Sequence, residues 1–331
     1  MIRGSCNMRI MPAMSVPHVY IDLARVRHNA QAIAHRCGVP VIAVIKADAY
    51  GLGASHVVEA LKDLDCVRGF YCFSLREAVD AGTWHTGKPT IALVGREDES
   101  VDQYRQFHVR PAVYDVTRAA ALRGAQPVLC VDTGMQRFAC TREFIDDVAK
   151  AGACDEAFTH ATRPEHAVLF AESCRHLRNG GIKLHAAATS LLDVPEARFD
   201  FVRPGLALYR DAVRVTSQLV DARDQTGPAG YSGFTSSTGR FGVIIGGYAI
   251  GLRPGPCLVN GQPRRILECG MQSSYVQIGP NDRTGDEVVL LGDGLNIDEI
   301  ASAWKTSPQE VLVRMSGLRG HGETVATRIE R

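Results

Sequence analysis

The residues best suited to chemistry lie in one stretch of the chain, from Val41 to Gly53. Five apolar, mostly β-branched residues precede Lys46, a pattern typical of a buried strand that carries an amine at its carboxyl end. A partly desolvated lysine has a lowered pKa, and its amine can form a Schiff base with an aldehyde. Tyr50 and Gly51 then supply a phenol and a tight turn that suits a phosphate group. A lysine that simply leaves the strand into solvent is the alternative interpretation.

Pyridoxal phosphate (PLP) carries both an aldehyde and a phosphate, and PLP enzymes use this lysine chemistry. Polar side chains also follow four later candidate strands. They are Arg137, His160, Ser190 and Arg203, the last with Gly205 close behind it. Each of them alone is more often a structural hydrogen-bonding group. Several in succession around one lysine are hard to explain as features of stability only, so they predict a site.

The elements that must position these side chains alternate regularly. Strand patterns and helix patterns follow one another from about residue 18 to about residue 210, in close to eight units. This alternation predicts a (β/α)8, TIM-like barrel over residues 18–210, in which chemistry is located at the carboxyl ends of the strands. No GxGxxG follows the first strand, which argues against a dinucleotide-binding fold.

The pattern changes after residue 210. Short strands separated by Gly, Pro and Asn turns predict a mostly-β C-terminal domain over residues 211–331, with two helical segments near its end. Residues 1–17 are expected to form an N-terminal extension, either a loose terminus or an extra strand of the β domain. Tyr231 lies between glycines in a turn-rich stretch, where a surface aromatic is the simpler interpretation.

Several of these segments resemble the alanine racemase family. The match is carried by K-A-D-A-Y-G-L-G from Lys46, by the strand and helix that begin at Tyr20, and by D-T-G-M-Q-R from Asp132. Thr159-His160, the run from Arg203 to Tyr209 and the late G-D-E-V strand are also similar to family segments. The resemblance extends from about residue 18 to about residue 315, and it implies a barrel followed by a β domain.

The resemblance implies a PLP-dependent amino-acid racemase, an isomerase most simply acting on alanine, that works as a head-to-tail homodimer. Racemisation needs a base on one face of the α-carbon and a proton donor on the other. Lys46 would serve one face, and Tyr231 from the partner subunit would serve the other.

The remaining roles implied by the resemblance concern binding. His160 would lie near the pyridine ring, and Arg203 would face the pyridine nitrogen, where it makes the cofactor a weaker electron sink than a carboxylate would. The phosphate would be held by Ser190 and by the backbone amides of Gly205 and Leu206, with Tyr50 also at the cofactor. Arg137 would contact the cofactor oxygen or the substrate carboxylate, and Met271 would contact the substrate.

Four departures from the family pattern keep alternatives open. Cys130 stands where the family has a carbamylated lysine, Ile250 and Gln272 replace aspartates, and the serine and tyrosine of the family's Ser-Tyr-Gly are transposed at Tyr231. The first alternative is a PLP enzyme of the same scaffold with another substrate or outcome, such as another racemase or a decarboxylase. The second is a non-catalytic PLP carrier, although a carrier needs no base on the opposite face.

Composition sets outer limits on the function. The 331 residues carry a formal net charge of +1, so the sequence predicts neither a nucleic-acid partner nor an anionic membrane surface. No apolar run approaches the roughly 20 residues that span a bilayer. Ten cysteines without a CxxC pair indicate a reduced, cytoplasmic protein without a metal site. The partner that the resemblance implies is a small-molecule amino acid.

Overall fold

The structure is a computed structural model that describes residues 16–317 and 326–330. These residues form two compact units. The barrel unit comprises Asp22–Ala212 and the described residues after Arg328, and the β unit combines the described residues up to Ile21 with those of Val213–Arg328. The first strand, β1 (His18–Asp22), therefore lies largely in the β unit.

The barrel unit is built on parallel strands that pair with one another in chain order. Most of their residues are buried, as expected for strands covered on both faces. These strands are β2 (Val41–Val44), β3 (Val67–Ser74), β4 (Thr90–Val94), β5 (Val109–Val113), β6 (Val128–Cys130), β7 (Glu156–Ala161) and β8 (Lys183–Ala187).

A short eighth segment, residues 201–204, closes the ring of strands. Val202 forms a parallel bridge to Val41, and Phe201 forms one to His185. The Ile42 N–H donates to the Val202 carbonyl at 2.8 Å. The first and last strands of the sheet are thereby joined, and the (β/α)8 barrel predicted from the alternation of elements is confirmed.

Helices follow the strands of the barrel unit. The first one, α1 (Leu23–Cys37), begins where the Asp22 carboxylate accepts from the Arg25 N–H at 2.8 Å, and it ends at Gly38 with a φ of 71°. The later helices of this unit are α2 (Ala54–Leu61), α3 (Leu75–Asp80), α4 (Val101–Gln106), α5 (Val116–Ala121), α6 (Ile145–Gly152), α7 (Pro164–Ser173), α8 (Arg175–Asn179) and α9 (Leu206–Tyr209). Short 3₁₀ helices lie at Thr83–His85, Arg123–Ala125, Arg142–Phe144, Thr189–Leu191 and Pro195–Ala197.

The β unit is an antiparallel sheet that closes on itself. The strands of the ring are β9 (Val213–Asp224), β10 (Arg240–Ile245), β11 (Gly255–Val259), β12 (Gln262–Cys269), β13 (Ser273–Gln277) and β14 (Glu287–Leu291). The long strand β9 pairs with the last strand of the ring, β14, through its first half and with the next strand in the chain, β10, through its second half. Six strands therefore form a ring. Strand β15 (Ala326–Glu330) pairs with β1 outside the ring. A 3₁₀ helix at Tyr248–Ile250 and the helices α10 (Ile297–Trp304) and α11 (Pro308–Gly317) complete the described part of this unit.

Strand β1 lies largely in the β unit, whereas the sequence predicts that the barrel begins at residue 18. It pairs antiparallel with β9, with His18 opposite Thr216 and Ile21 opposite Val213. The reason lies in its residue pattern, because only Val19 and Ile21 of this strand are buried, whereas every residue of β2 is buried. Such alternation suits an antiparallel sheet with one covered face. An extra strand from residues 1–17 falls outside the described residues, apart from Val16 and Pro17.

No helix among residues 16–317 and 326–330 is long and apolar enough to cross a bilayer.

Candidate active site

Lys46 lies just beyond the carboxyl end of β2, after the buried Ile45, and its side chain is half-buried. Burial lowers the pKa of the amine, and the positive charges of Arg137 and Arg203 lower it further. The Glu77 carboxylate acts in the opposite direction. An amine in this environment gives up its proton more readily than an exposed lysine does.

The chain leaves Lys46 through a left-handed turn. Four successive non-glycine residues, Ala47, Asp48, Ala49 and Tyr50, have φ values between 53° and 58°. This backbone costs roughly 1–2 kcal/mol per residue for L-amino acids, so surrounding contacts must hold it. The turn places the Tyr50 side chain in the interior, where burial raises the pKa of its phenol to about 12.

Glu77 is one of the groups that hold this turn. Its carboxylate accepts a hydrogen bond from the Ala47 N–H at 3.0 Å and another from the Phe73 N–H at 2.7 Å. Glu77 therefore connects the residue after Lys46 to the end of β3. A contact between residues 30 positions apart leaves no local signal in the sequence, so Glu77 could not be predicted.

Arg203 is the most deeply buried cation of the site, with 3% of its surface exposed. It donates to the Thr159 carbonyl, and its guanidinium lies over the rings of Phe158 at 4.7 Å and Tyr71 at 5.1 Å. Burial lowers its pKa. Its Nε has no hydrogen-bond partner within the described part of the chain. A buried donor without an acceptor is costly, so this atom marks a place for a ligand acceptor.

His160 and Arg137 complete the cationic side of the site. Burial lowers the pKa of His160 to about 4, with Arg203, Lys46 and Arg137 adding to the effect, so the imidazole is neutral at pH 7. Arg137 is exposed, and its guanidinium lies 5.7 Å from the centre of the Phe138 ring.

Cys130 lies at the end of β6, in the position that the resemblance assigns to a carbamylated lysine. Burial raises the pKa of its thiol to about 12, so the side chain is uncharged at neutral pH. A neutral thiol supplies no counter-charge for Arg137, whose guanidinium contacts Phe138 instead.

The candidate phosphate corner lies where β8 and the eighth strand end. The Thr189 hydroxyl accepts from the Ala207 N–H at 3.1 Å and from the Gly205 N–H at 3.4 Å. Ser190, for which the resemblance predicts the phosphate contact, is exposed. The structure thus directs Thr189 rather than Ser190 to these amides, because a shift of one residue at the strand end changes which hydroxyl points inward.

Gly205 and Tyr50 approach each other closely in this corner. A Cβ on Gly205 would lie 2.8 Å from the Tyr50 Cζ and nearer still to the hydroxyl oxygen. Tyr50 in turn packs against Tyr209, with ring centres 5.2 Å apart, and the Tyr209 hydroxyl donates to the Val44 carbonyl at 2.6 Å. Only a glycine leaves room for this tyrosine.

Tyr231 and Met271 belong to the β unit, and both are exposed, Tyr231 by 90% and Met271 by 60%. Tyr231 lies at the tip of a hairpin closed by the bridge between Ala229 and Phe234. The hairpin tip is held by Glu268, whose carboxylate accepts from the N–H groups of Tyr231 and Ser232. Glu268 carried no signal in the sequence, since it acts across a distance of 37 positions.

Within the barrel unit, the predicted residues follow the strand ends as expected. Arg137 and Arg203 act electrostatically on both Lys46 and His160, so these four side chains lie in one region. The groups present fit PLP. A primary amine with a lowered pKa suits the aldehyde, and the unpartnered Arg203 Nε suits the ring nitrogen. The Thr189 hydroxyl, which accepts from the Gly205 and Ala207 amides, keeps its own proton to donate to a phosphate.

Fold and site together define a class of protein, a barrel enzyme with a lysine, a histidine and arginines at its strand ends, followed in the chain by a β domain. Comparison with known families specifies the class further. Residues 21–213 match the family model described as "Alanine racemase, N-terminal domain". Residues 214–319 match the one described as "Alanine racemase, C-terminal domain". The chain belongs to the alanine racemase family.

Curated relatives agree with this assignment. The biosynthetic alanine racemase of Escherichia coli K12 is 28% identical over an alignment that covers 92% of this chain and 98% of the relative. The alanine racemase of Shigella boydii serotype 18 matches to the same extent.

Solved structures have the same fold. The biosynthetic alanine racemase of Pseudomonas aeruginosa superposes with a TM-score of 0.81 at 24% identity, covering 96% of this chain and 100% of that one. The alanine racemase of Bartonella henselae, described with covalently bound pyridoxal phosphate, gives a TM-score of 0.83 at 20% identity, again covering 96% and 100%.

Proposed function

We propose that this chain is a PLP-dependent alanine racemase that exchanges the α-proton of alanine between two faces. The observation that supports it most is the set of strand-end groups of the barrel unit. A lysine amine of lowered pKa shares its surroundings with a buried arginine whose Nε lacks a partner. Family membership, together with the named activity of the relatives, points to alanine.

Bound PLP would withdraw electrons from the α-carbon of the substrate and so make its α-proton removable. The residues of the chain then determine the outcome. Lys46 would hold the cofactor, and its free amine would move a proton at one face. Arg203 donates a hydrogen bond but does not give up its proton, which limits electron withdrawal and so disfavours transamination.

Substrate binding and the second proton transfer involve further residues of the proposal. Arg137 attracts the substrate carboxylate, and the neutral His160 adds no positive charge beside Arg203. Tyr231 moves the proton at the opposite face, and Met271 contacts the substrate. The proposed cofactor-binding residues are Ser190, Gly205, Leu206 and Tyr50. We add Thr189, because its hydroxyl accepts from the Gly205 and Ala207 amides.

The exposed Tyr231 also supports a homodimer. The Tyr231 phenol is 90% exposed and so available to another molecule, and we infer that it serves the barrel of a second copy. The cytoplasm, where free amino acids are abundant, is the compartment proposed for the enzyme.

The test is to incubate PLP-loaded protein with L-alanine and a panel of other amino acids in D2O, following α-deuteration and chirality together. Exchange with inversion is expected for alanine. Inversion of another amino acid but not of alanine would show that the enzyme is a racemase with a different substrate. Exchange without inversion would mean that only one base works, and no exchange with any amino acid would favour a decarboxylase or a carrier.

Lys46→Ala is the matched control for this test, with Lys62→Ala as a surface lysine variant. Only a primary amine can link to the aldehyde, so borohydride reduction should add the mass of the cofactor to the wild type and to Lys62→Ala, but not to Lys46→Ala. Undiminished labelling of Lys46→Ala would refute the assignment of the cofactor lysine.

A further inference from the structure

The backbone of the Tyr231 hairpin is held from one side by a single carboxylate. The two oxygens of Glu268 accept separate hydrogen bonds, from the Tyr231 N–H at 2.8 Å and from the Ser232 N–H at 2.7 Å. Hydrogen bonds to an ionised acceptor are roughly twice as strong as those between neutral groups. This contact fixes two successive peptide groups at the hairpin tip, while the phenol itself remains exposed.

Strand β12 is shaped to present this carboxylate. The pairing of β12 with β13 shifts register between Ile266 and Glu268, and such an irregularity re-aims the side chains beside it. On the hairpin, Gly230 has a φ of 70°, and a Cβ at this position would lie 2.6 Å from a Glu268 oxygen. Both partners of the contact thus have the local geometry that it requires.

The charge state of Glu268 agrees with this geometry. Its hydrogen bonds with Ser232 and with the two backbone amides hold the pKa of the carboxyl group below its usual range. The carboxylate therefore keeps both acceptors through the neutral pH range.

We propose that Glu268 is the positioning residue of Tyr231, fixing the hairpin tip so that the phenol is presented in one place. The inference rests on the proposed function, in which Tyr231 acts at the face opposite Lys46. Misplacement of a reacting group by about 1 Å can cost about 100-fold in rate. A hairpin tip without its carboxylate therefore loses inversion while the cofactor site stays intact.

Two measurements on the full-length, PLP-loaded protein test the proposal, with Glu268→Gln as the main variant and Glu299→Gln as an exposed control in the same unit. The first follows the backbone amide of Tyr231 by NMR in protein labelled with ¹⁵N-tyrosine. The chain has nine tyrosines, and the resonance of Tyr231 is the one lost in Tyr231→Phe. We expect faster exchange of this amide with solvent in Glu268→Gln and no change in Glu299→Gln.

The second measurement is α-deuteration of both alanine enantiomers in D2O. In Glu268→Gln, we expect inversion to fall about 10- to 100-fold in both directions, with KM and cofactor absorbance unchanged. Exchange with retention at the face served by Lys46 should persist. A general structural defect would lower both processes together.

The double variant Tyr231→Phe/Glu268→Gln separates the possible results. If Glu268 acts through the phenol, the double variant equals Tyr231→Phe alone. Additive losses, or an unchanged Tyr231 amide in Glu268→Gln and Glu268→Ala, would overturn the proposal. A wild type that exchanges no α-proton would refute the proposed function instead, and the amide measurement would then decide the role of Glu268 by itself.

Discussion

At the scale of single residues, the site of the barrel unit is unusual for its excess of positive charge. Arg137 and Arg203 lower the pKa of Lys46, and the Glu77 carboxylate opposes their effect. The cost of placing Arg203 in this interior is reduced by the Thr159 carbonyl and by two aromatic rings. Such a site favours anionic ligands and keeps nearby basic groups neutral, which has a measurable consequence for His160.

His160 should titrate far below an ordinary histidine. Its pKa is about 4 in the folded protein, against 6.5 as the ordinary value, because burial and neighbouring cations disfavour the charged form. In the unfolded chain it takes up a proton below pH 6.5, so stability is lost as the pH falls from about 6.5 towards about 4. The Cε1–H resonance of His160, assigned with His160→Gln, should stay in its neutral position at pH 5.5.

The same variant provides the thermodynamic check. Urea unfolding at several pH values should show a smaller loss of stability below pH 6.5 in His160→Gln than in the wild type. Part of the loss will remain, because the pKa of the buried His185 is also lowered to about 4. A midpoint near the ordinary value of 6.5 for His160 would contradict its placement beside Arg203.

At the scale of elements, the candidate phosphate corner depends on a glycine between the eighth strand and α9. Gly205→Ala should destabilise the protein by about 1–3 kcal/mol, because its Cβ would overlap the Tyr50 phenol. The free energy of unfolding in urea measures this, and weaker binding of PLP should accompany it. Gly227→Ala, at an open and exposed position, is the control and should leave stability within about 0.5 kcal/mol.

A second variant keeps the alanine at position 205 and removes the hydroxyl group that its methyl group would meet. Gly205→Ala/Tyr50→Phe lacks the hydroxyl that the new methyl group meets first, so it should recover part of the lost stability. Equal destabilisation of the single and double variants would show that the close approach to Tyr50 does not decide the effect.

The sequence predicts elements well where the pattern is local. The run of β-branched residues before Lys46 defines a buried strand, and the alternation of strands and helices predicts the barrel. The left-handed turn after Lys46 could not be foreseen, since no propensity favours four successive non-glycine residues at positive φ. Thr189, Glu77 and Glu268 were missed because strand-end register and long-range contacts decide their roles.

At the scale of the whole molecule, the proposed sharing of sites between two copies has a direct test. Lys46→Ala and Tyr231→Phe should each be inactive as pure proteins. If Tyr231 serves the barrel of its partner, then a hybrid of the two variants contains one site with both Lys46 and Tyr231 intact. Mixing the unfolded variants and refolding them together should therefore restore racemase activity.

The control for this experiment is a mixture refolded separately and combined just before the assay, which should stay inactive. Light scattering should show a particle of twice the 35.9 kDa chain mass. Absence of recovered activity in co-refolded dimers would contradict the exchange of Tyr231 between subunits.

The pairing of β1 with β9 has a consequence for how the chain is made. The barrel segment is inserted between these two strands, so β1 leaves the ribosome long before its partner is synthesised. During that interval its row of unpaired amides and carbonyls is open to other chains, a known route to aggregation. Once synthesis is complete, β1 lies between β9 and β15, and that exposed edge no longer exists.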